Sequence, residues 1–150
     1  MDVDGTMTDG KIYMSPTGEA MKAFNIKDGC GIHDILIPAG IQPVILTART
    51  SDIVYNRACE LGVTEIYQGV RDKVQKLLEI TSELNQAAYI GDDINDLPCM
   101  EIIKKAGGVI GCPADAVAQV KAAADYISPF KGGDGAVRGF IEWLVEKQDG

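Results

Sequence analysis

Short apolar runs alternate with longer amphipathic ones from Pro43 onward, and this alternation limits the fold more than any other feature. Strands are predicted over 43–47, 65–68, 87–91, 108–110 and 126–128. Between and after them fall predicted helices: one capped by Ser51 and running through Leu61, then 71–84, 94–106, 114–124 and 136–146. The first has Asp52 in its opening turn and Gly62 beyond its end, the usual start and stop chemistry. Pro98 fits the 94–106 helix only if it falls in the first turn, where no backbone donor is lost. Repeated strand–helix units predict an α/β fold: a doubly wound, Rossmann-like parallel sheet with helices on both faces. Nothing in the composition divides the chain, so 1–150 is read as a single domain.

One stretch breaks the pattern. Residues 11–14 and 20–24 flank Ser15-Pro16-Thr17-Gly18-Glu19, two short strands about a Pro/Gly turn. This predicted β-hairpin flap, about residues 10–25, follows directly on an acidic opening that places Asp2, Asp4 and Asp9 in the first nine residues. Ligands of such sheets bind beyond the carboxyl ends of the strands. The hairpin is therefore expected to project over that end.

Charge and residue usage exclude several classes. A net charge of −8 repels phosphate backbones, so no nucleic-acid partner is expected, and an anionic substrate would need local positive charge. No apolar run approaches the ~18 residues of a membrane helix, and no leader pattern opens the chain, so a cytoplasmic protein without membrane partners is expected. The four cysteines, Cys30, Cys59, Cys99 and Cys112, form no C-x-x-C pair, and His33 is the sole histidine. A zinc site is not expected; buried, reduced thiols are.

Four polar signals fall at predicted strand ends: Asp2-x-Asp4, Thr47, Lys73 one helix start beyond Gln68-Gly69, and Gly91-Asp92-Asp93-x-x-Asp96. Their chemistry follows from residue type. Several carboxylates brought together cannot all stay ionised without a counter-cation. Oxygen ligands without histidine or cysteine select Mg²⁺, with Asp2, Asp4, Asp92 and Asp93 as candidate ligands. A shielded carboxylate, Asp2, could then attack phosphorus and form an aspartyl phosphate. Asp4 could protonate the leaving alkoxide and later deprotonate water. Lys73 would neutralise the nucleophile and the phosphoryl oxygens, Thr47 would donate a hydroxyl hydrogen bond, and Gly5 would permit close backbone approach. Asp93 serves as a ligand or a helix cap; Asp96 orients Lys73 or sits in a first helical turn.

Asp-x-Asp-Gly-Thr, a strand-ending Thr, a Lys and Gly-Asp-Asp-x-x-Asp, in this order, resemble the four motifs of the haloacid dehalogenase superfamily of phosphatases. With nothing longer than a hairpin after the first motif, and one helix and one strand between Thr47 and Lys73, no cap domain is visible. This resembles the capless subgroup that contains 3-deoxy-D-manno-octulosonate 8-phosphate (KDO 8-phosphate) phosphatase. Locally, Phe24-Asn25-Ile26-Lys27-Asp28-Gly29 looks like that family's substrate loop, Leu46-Thr47-Ala48-Arg49 like its Ile-Thr-Gly-Arg, and Gly132-Gly133-Asp134-Gly135-Ala136-Val137-Arg138 like its Gly-rich tail. The resemblance implies substrate contacts from Asn25, Ile26, Lys27, Asp28, Gly29, Arg49, Arg57 and Arg138. His33 either lines the site or is an ordinary half-exposed side chain. It also implies a homotetramer built through the hairpins.

The chain departs from the family at Thr6, Ala48 and Gly139, where Val, Gly and Glu are usual. Only Met1 precedes the nucleophile, so either the chain is clipped or its start is assigned late, and a shortened central strand is expected. The expected activity is hydrolysis of a phosphorylated 2-keto-3-deoxy sugar acid, KDO 8-phosphate first, with the 9-phosphate of N-acetylneuraminate or KDN as the enzymatic alternative. A phosphatase-like module of a sugar-nucleotide synthetase is a third reading. A receiver-type phosphoacceptor domain is a fourth, although there the acidic cluster precedes Thr and Lys instead of following them.

Overall fold

A computed structural model describes residues 1–150. Strands β3 (Val44–Leu46) and β4 (Glu65–Tyr67) pair in parallel, with Val44 opposite Glu65. Strands β5 (Ala88–Ile90), β6 (Val109–Cys112) and β7 (Tyr126–Ile127) form a second parallel group, with Ala88 opposite Val109 and Gly111 opposite Tyr126. The first two residues join the groups. The Met1 ammonium donates to the Val44 carbonyl at 2.7 Å, Leu46 N–H to the Met1 carbonyl at 3.0 Å, and Asp2 N–H to the Ile90 carbonyl at 3.1 Å. The spatial order is β4-β3-(Met1-Asp2)-β5-β6-β7, the doubly wound sheet that the alternation predicts, with a two-residue middle strand.

Successive strand residues point to opposite faces, and the two cores divide accordingly. Ile45 and Ile90 pack with Val3, Ile32, Val54 and Phe140; Leu46 and Tyr89 pack with Met100, Ile103, Ile110 and Val120. The first core is covered by α2 (Asp52–Glu60) and α6 (Ala136–Asp149), the second by α3 (Lys73–Ile80), α4 (Leu97–Ala106) and α5 (Ala118–Ala123). Alongside Met1 the sheet leaves a cavity of about 920 Å³, bordered by Val44, Ala88, Leu77, Phe140 and Leu144.

Several element ends differ from expectation, each for a local reason. Helix α3 begins after Asp72, whose carboxylate accepts from Gln75 N–H at 2.9 Å, and stops at Thr81, which is extended; Leu84–Gln86 form a separate 3-10 turn. Helix α4 starts at Leu97, which places Pro98 in the first turn as required, and ends at left-handed Gly107. Helix α5 is shorter than predicted because Pro113–Ala116 turns and Val117 is extended. The hairpin, β1 (Tyr13–Ser15) and β2 (Gly18–Met21), turns tightly at Pro16-Thr17 with Gly18 at φ +126°. Helix α1 (Ile26–Cys30) is capped by Asn25, whose side-chain oxygen accepts from Lys27 N–H at 2.8 Å, and runs on into a π-helical segment, Gly31–Leu36.

The four thiols are free; Cys99 and Cys112 are buried, whereas Cys59 is exposed, against the expectation of uniformly buried thiols. No helix is long and apolar enough to cross a membrane.

Candidate active site

Every strongly signalled residue lies at the carboxyl end of this sheet: Asp2 after Met1, Thr47 after β3, Asp92 after β5. At the centre is a buried ammonium between two carboxylates. Lys73 Nζ donates to Asp2 Oδ1 at 3.0 Å and to Asp96 Oδ1 at 2.9 Å. All three side chains are at most 8% exposed. Asp96 Oδ1 also accepts from the Tyr89 hydroxyl at 2.7 Å, and its Oδ2 accepts from the backbone N–H groups of Asp92 at 2.9 Å and Asp93 at 3.2 Å. Asp96 thus orients Lys73 and shapes the Gly91-Asp92-Asp93 turn at once.

Oxygens of Asp2, Asp92 and Asp96 lie within 4.8 Å of one another. Three carboxylates against one ammonium leave a net of two negative charges if all ionise. Burial, and then the neighbouring charges of Asp2 and Asp96, push Asp92 up to about 8. Burial and Asp96 also raise Asp2, against the pull of Lys73. Lys73 is itself raised, because Asp2 and Asp96 outweigh the burial that would lower it. A divalent cation relieves this crowding. The donor set is all oxygen, which suits Mg²⁺. Asp96 already accepts four hydrogen bonds, so Asp2 and Asp92 are the carboxylates free to hold the ion. Thr6 orients Asp92 through a 3.2 Å hydrogen bond to Oδ1. Gly5, at φ +85°, leaves the space: a Cβ there would lie 1.9 Å from Asp92 Oδ2.

Two predicted ligands are placed elsewhere. The Asp4 carboxylate is not among the clustered oxygens; one oxygen lies 2.5 Å from Lys22 Nζ and the other 3.9 Å from Arg49 Nε. Asp93 is exposed and its side chain accepts from Ile94 N–H at 2.7 Å; the N-cap position of α4 belongs to Asp96. Thr47 is buried at the end of β3, its N–H bonded to the Tyr67 carbonyl and its carbonyl to Val70 N–H.

The predicted substrate residues divide as well. Asn25, Asp28, Gly29 and Arg57 gather beside Phe24, with the Arg57 guanidinium 6.0 Å from the Phe24 ring centroid. Gly29 makes room for Arg57, since a Cβ would sit 2.4 Å from Nη2. Arg57 Nε is buried without a hydrogen-bond partner. Asp28 is a structural anchor: its carboxylate accepts from Gly135 and Arg138 N–H and so caps α6, while burial raises its pKa. Arg138 extends to Glu142 and Ile26 is exposed. Lys27 is exposed, and its carbonyl accepts from Arg138. His33 is exposed, pairs with Asp34 and lies beside Gly62, at the opposite end of α2 from Ser51.

Sequence reasoning missed Lys22, Glu19, Tyr89 and the Thr6–Asp92 contact. Glu19 and Lys22 sit three residues apart beside the hairpin, a spacing with no signal of its own in a strand.

No family model matches the chain. Similarity to known proteins is nonetheless close. The chain is 41% identical to 3-deoxy-D-manno-octulosonate 8-phosphate phosphatase KdsC of Yersinia pestis, over 99% of this chain and 79% of that protein. The chain belongs to the KDO 8-phosphate phosphatase family. Among solved structures, the Moraxella catarrhalis phosphatase, in complex with magnesium, phosphate and KDO, is 38% identical at a TM-score of 0.88, covering 99% of this chain and 85% of that one. The cobalt-bound Haemophilus influenzae enzyme is 36% identical at 0.87, covering 99% and 86%.

In this family member Mg²⁺ binding must displace the proton that Asp92 holds below about pH 8. A raised carboxylate pKa stabilises the fold fully below the unfolded value near 3.8, and that contribution is lost as pH climbs through about 8. The increment in Tm on adding Mg²⁺ over EDTA is therefore expected to be larger at pH 8 than at pH 6, measured by thermal unfolding. Gly5→Ala is expected to abolish that increment at both pH values.

Proposed function

We propose that this chain is an Mg²⁺-dependent phosphatase that hydrolyses KDO 8-phosphate to KDO and phosphate through an aspartyl phosphate on Asp2. The observation that carries the reading is the convergence of Asp2, Lys73 and the Asp92–Asp96 turn at the sheet's carboxyl end. The names and bound ligands of relatives at 36–41% identity support the substrate.

Lys73 holds Asp2 Oδ1, which leaves Oδ2 to attack phosphorus in line with the departing sugar hydroxyl. Mg²⁺ held by Asp2 and Asp92 would shield the carboxylate from the phosphate charge and polarise the phosphoryl group. Lys73 offsets charge on the phosphoryl oxygens, and the Thr47 hydroxyl donates to one of them. Asp4 delivers a proton to the leaving alkoxide. In the second half it takes a proton from water, which attacks the phosphorus of phospho-Asp2 and frees phosphate with Asp2 regenerated. In a chain of net charge −8 the sugar-acid carboxylate needs local cations. Arg57, with its free buried Nε beside Asn25 and Gly29, and the half-exposed Arg49 supply them.

Residues 1–150 act as one unit in this reading. The exposed apolar hairpin residues Ile12, Tyr13, Met14 and Met21 suit burial between copies in a homotetramer. Free thiols at Cys30, Cys59, Cys99 and Cys112 suit the reducing cytoplasm.

Phosphate release from KDO 8-phosphate and from N-acetylneuraminate 9-phosphate tests the assignment. Turnover is expected with Mg²⁺, none with EDTA, and a clear preference for the eight-carbon ester. Equal, feeble turnover of both would set the sugar-acid assignment aside. Asp2→Asn is expected to remove turnover while circular dichroism stays unchanged.

A further inference from the structure

We infer that Lys22 is a positioning residue that couples the docked hairpin to Asp4; this rests on the phosphatase reading above. Lys22 immediately follows β2, between exposed Met21 and Ala23, yet its side chain is 1% exposed. Lysine is rarely buried unless paired, and this one is paired twice. Its Nζ donates to Asp4 Oδ1 at 2.5 Å and lies 3.1 Å from Glu19 Oε2.

Glu19 fastens the same hairpin to the body of the protein. Its Oε1 accepts from the Ser51 hydroxyl at 2.7 Å and its Oε2 from Arg49 Nη2 at 3.3 Å. Ser51 in turn caps α2 and donates its N–H to Gln68 Oε1 at 2.9 Å. The hairpin has only two short strands, too little to hold itself in water. These polar ties dock it, and docking delivers the Lys22 ammonium to Asp4.

The consequence for the reaction is geometric. Lys22 occupies Asp4 Oδ1, while Oδ2 makes no hydrogen bond and lies 3.9 Å from Arg49 Nε. One oxygen is anchored and the other is presented for proton transfer. Without the anchor the carboxylate is free to swing toward Arg49, and Asp4 no longer sits in one place for both halves of the reaction. A catalytic group displaced in this way loses rate far more than binding.

Steady-state kinetics on KDO 8-phosphate with Mg²⁺ tests the coupling. Lys22→Met is expected to lower kcat by about 100-fold, within the range for losing a positioned acid–base group, with KM near the wild-type value. Lys22→Arg, which keeps a donor of similar reach, should restore a large part of the rate. Glu19→Gln should speed amide hydrogen exchange in residues 13–21, because it loosens the dock. Should Lys22→Met fail to fold, Lys22→Gln carries the same expectation. A folded neutral variant with kcat within threefold of wild type overturns the coupling. So does an equal loss in Lys22→Arg, or a loss confined to KM. A wild-type protein without turnover sinks the phosphatase reading and this one together. An active wild type with unimpaired neutral variants sinks only the role of Lys22.

Discussion

The pairing of Lys73 with Asp2 and Asp96 is the interaction on which the site is built. It ties the middle of the sheet to the first turn of α3 and to the residue that opens α4. A buried ammonium is tolerated only with its charge matched, and removal of one partner from such a group typically costs about 3–5 kcal/mol. The triad therefore gives charged residues at 2, 73 and 96 a single arrangement. Asp96 extends that constraint to the backbone: by accepting from Tyr89 and from two N–H groups, it sets the turn on which Asp92 stands. The close approach of Asp92 to the Gly5 backbone follows from the same turn.

Around the triad the protein keeps charge deliberately unbalanced. Asp2, Asp92 and Asp96 outnumber their one cation, and burial together with that excess raises the pKa of Asp92. A fold that stored no ligand affinity here would relieve that excess with another lysine or an amide. The cations Arg49, Arg57 and Lys22 are by contrast each paired: Lys22 with Asp4 and Glu19, Arg49 with Glu19, Arg57 with Glu60. The site thus combines a cation-seeking floor at the strand ends with matched ion pairs on α2, the turn before it and the hairpin.

Met1 and Asp2 link the triad to the sheet. Three hydrogen bonds from these two residues join the two half-sheets. They set Asp2 at the strand-end level of Thr47 and Asp92.

The α/β class, the order of the elements and the gathering of Asp2, Thr47, Lys73 and Asp92 at one end of the sheet were legible in the sequence by itself. Strand–helix periodicity and residue type are local properties, and the carboxyl ends of parallel strands must meet at one edge. The alternatives at Asp93 and Asp96 could not be separated that way, since either carboxylate suits a turn; only the approach of Lys73 and Tyr89 shows which one faces inward. Asp28 and Asp4 follow the same logic. Asp28 stands in the expected loop but caps a helix more than a hundred residues away, and Asp4 pairs with Lys22 of the hairpin segment. Which partner a charged side chain takes is decided by long-range packing, because burial makes an unpaired charge too costly and the nearest available donor lies elsewhere in the chain.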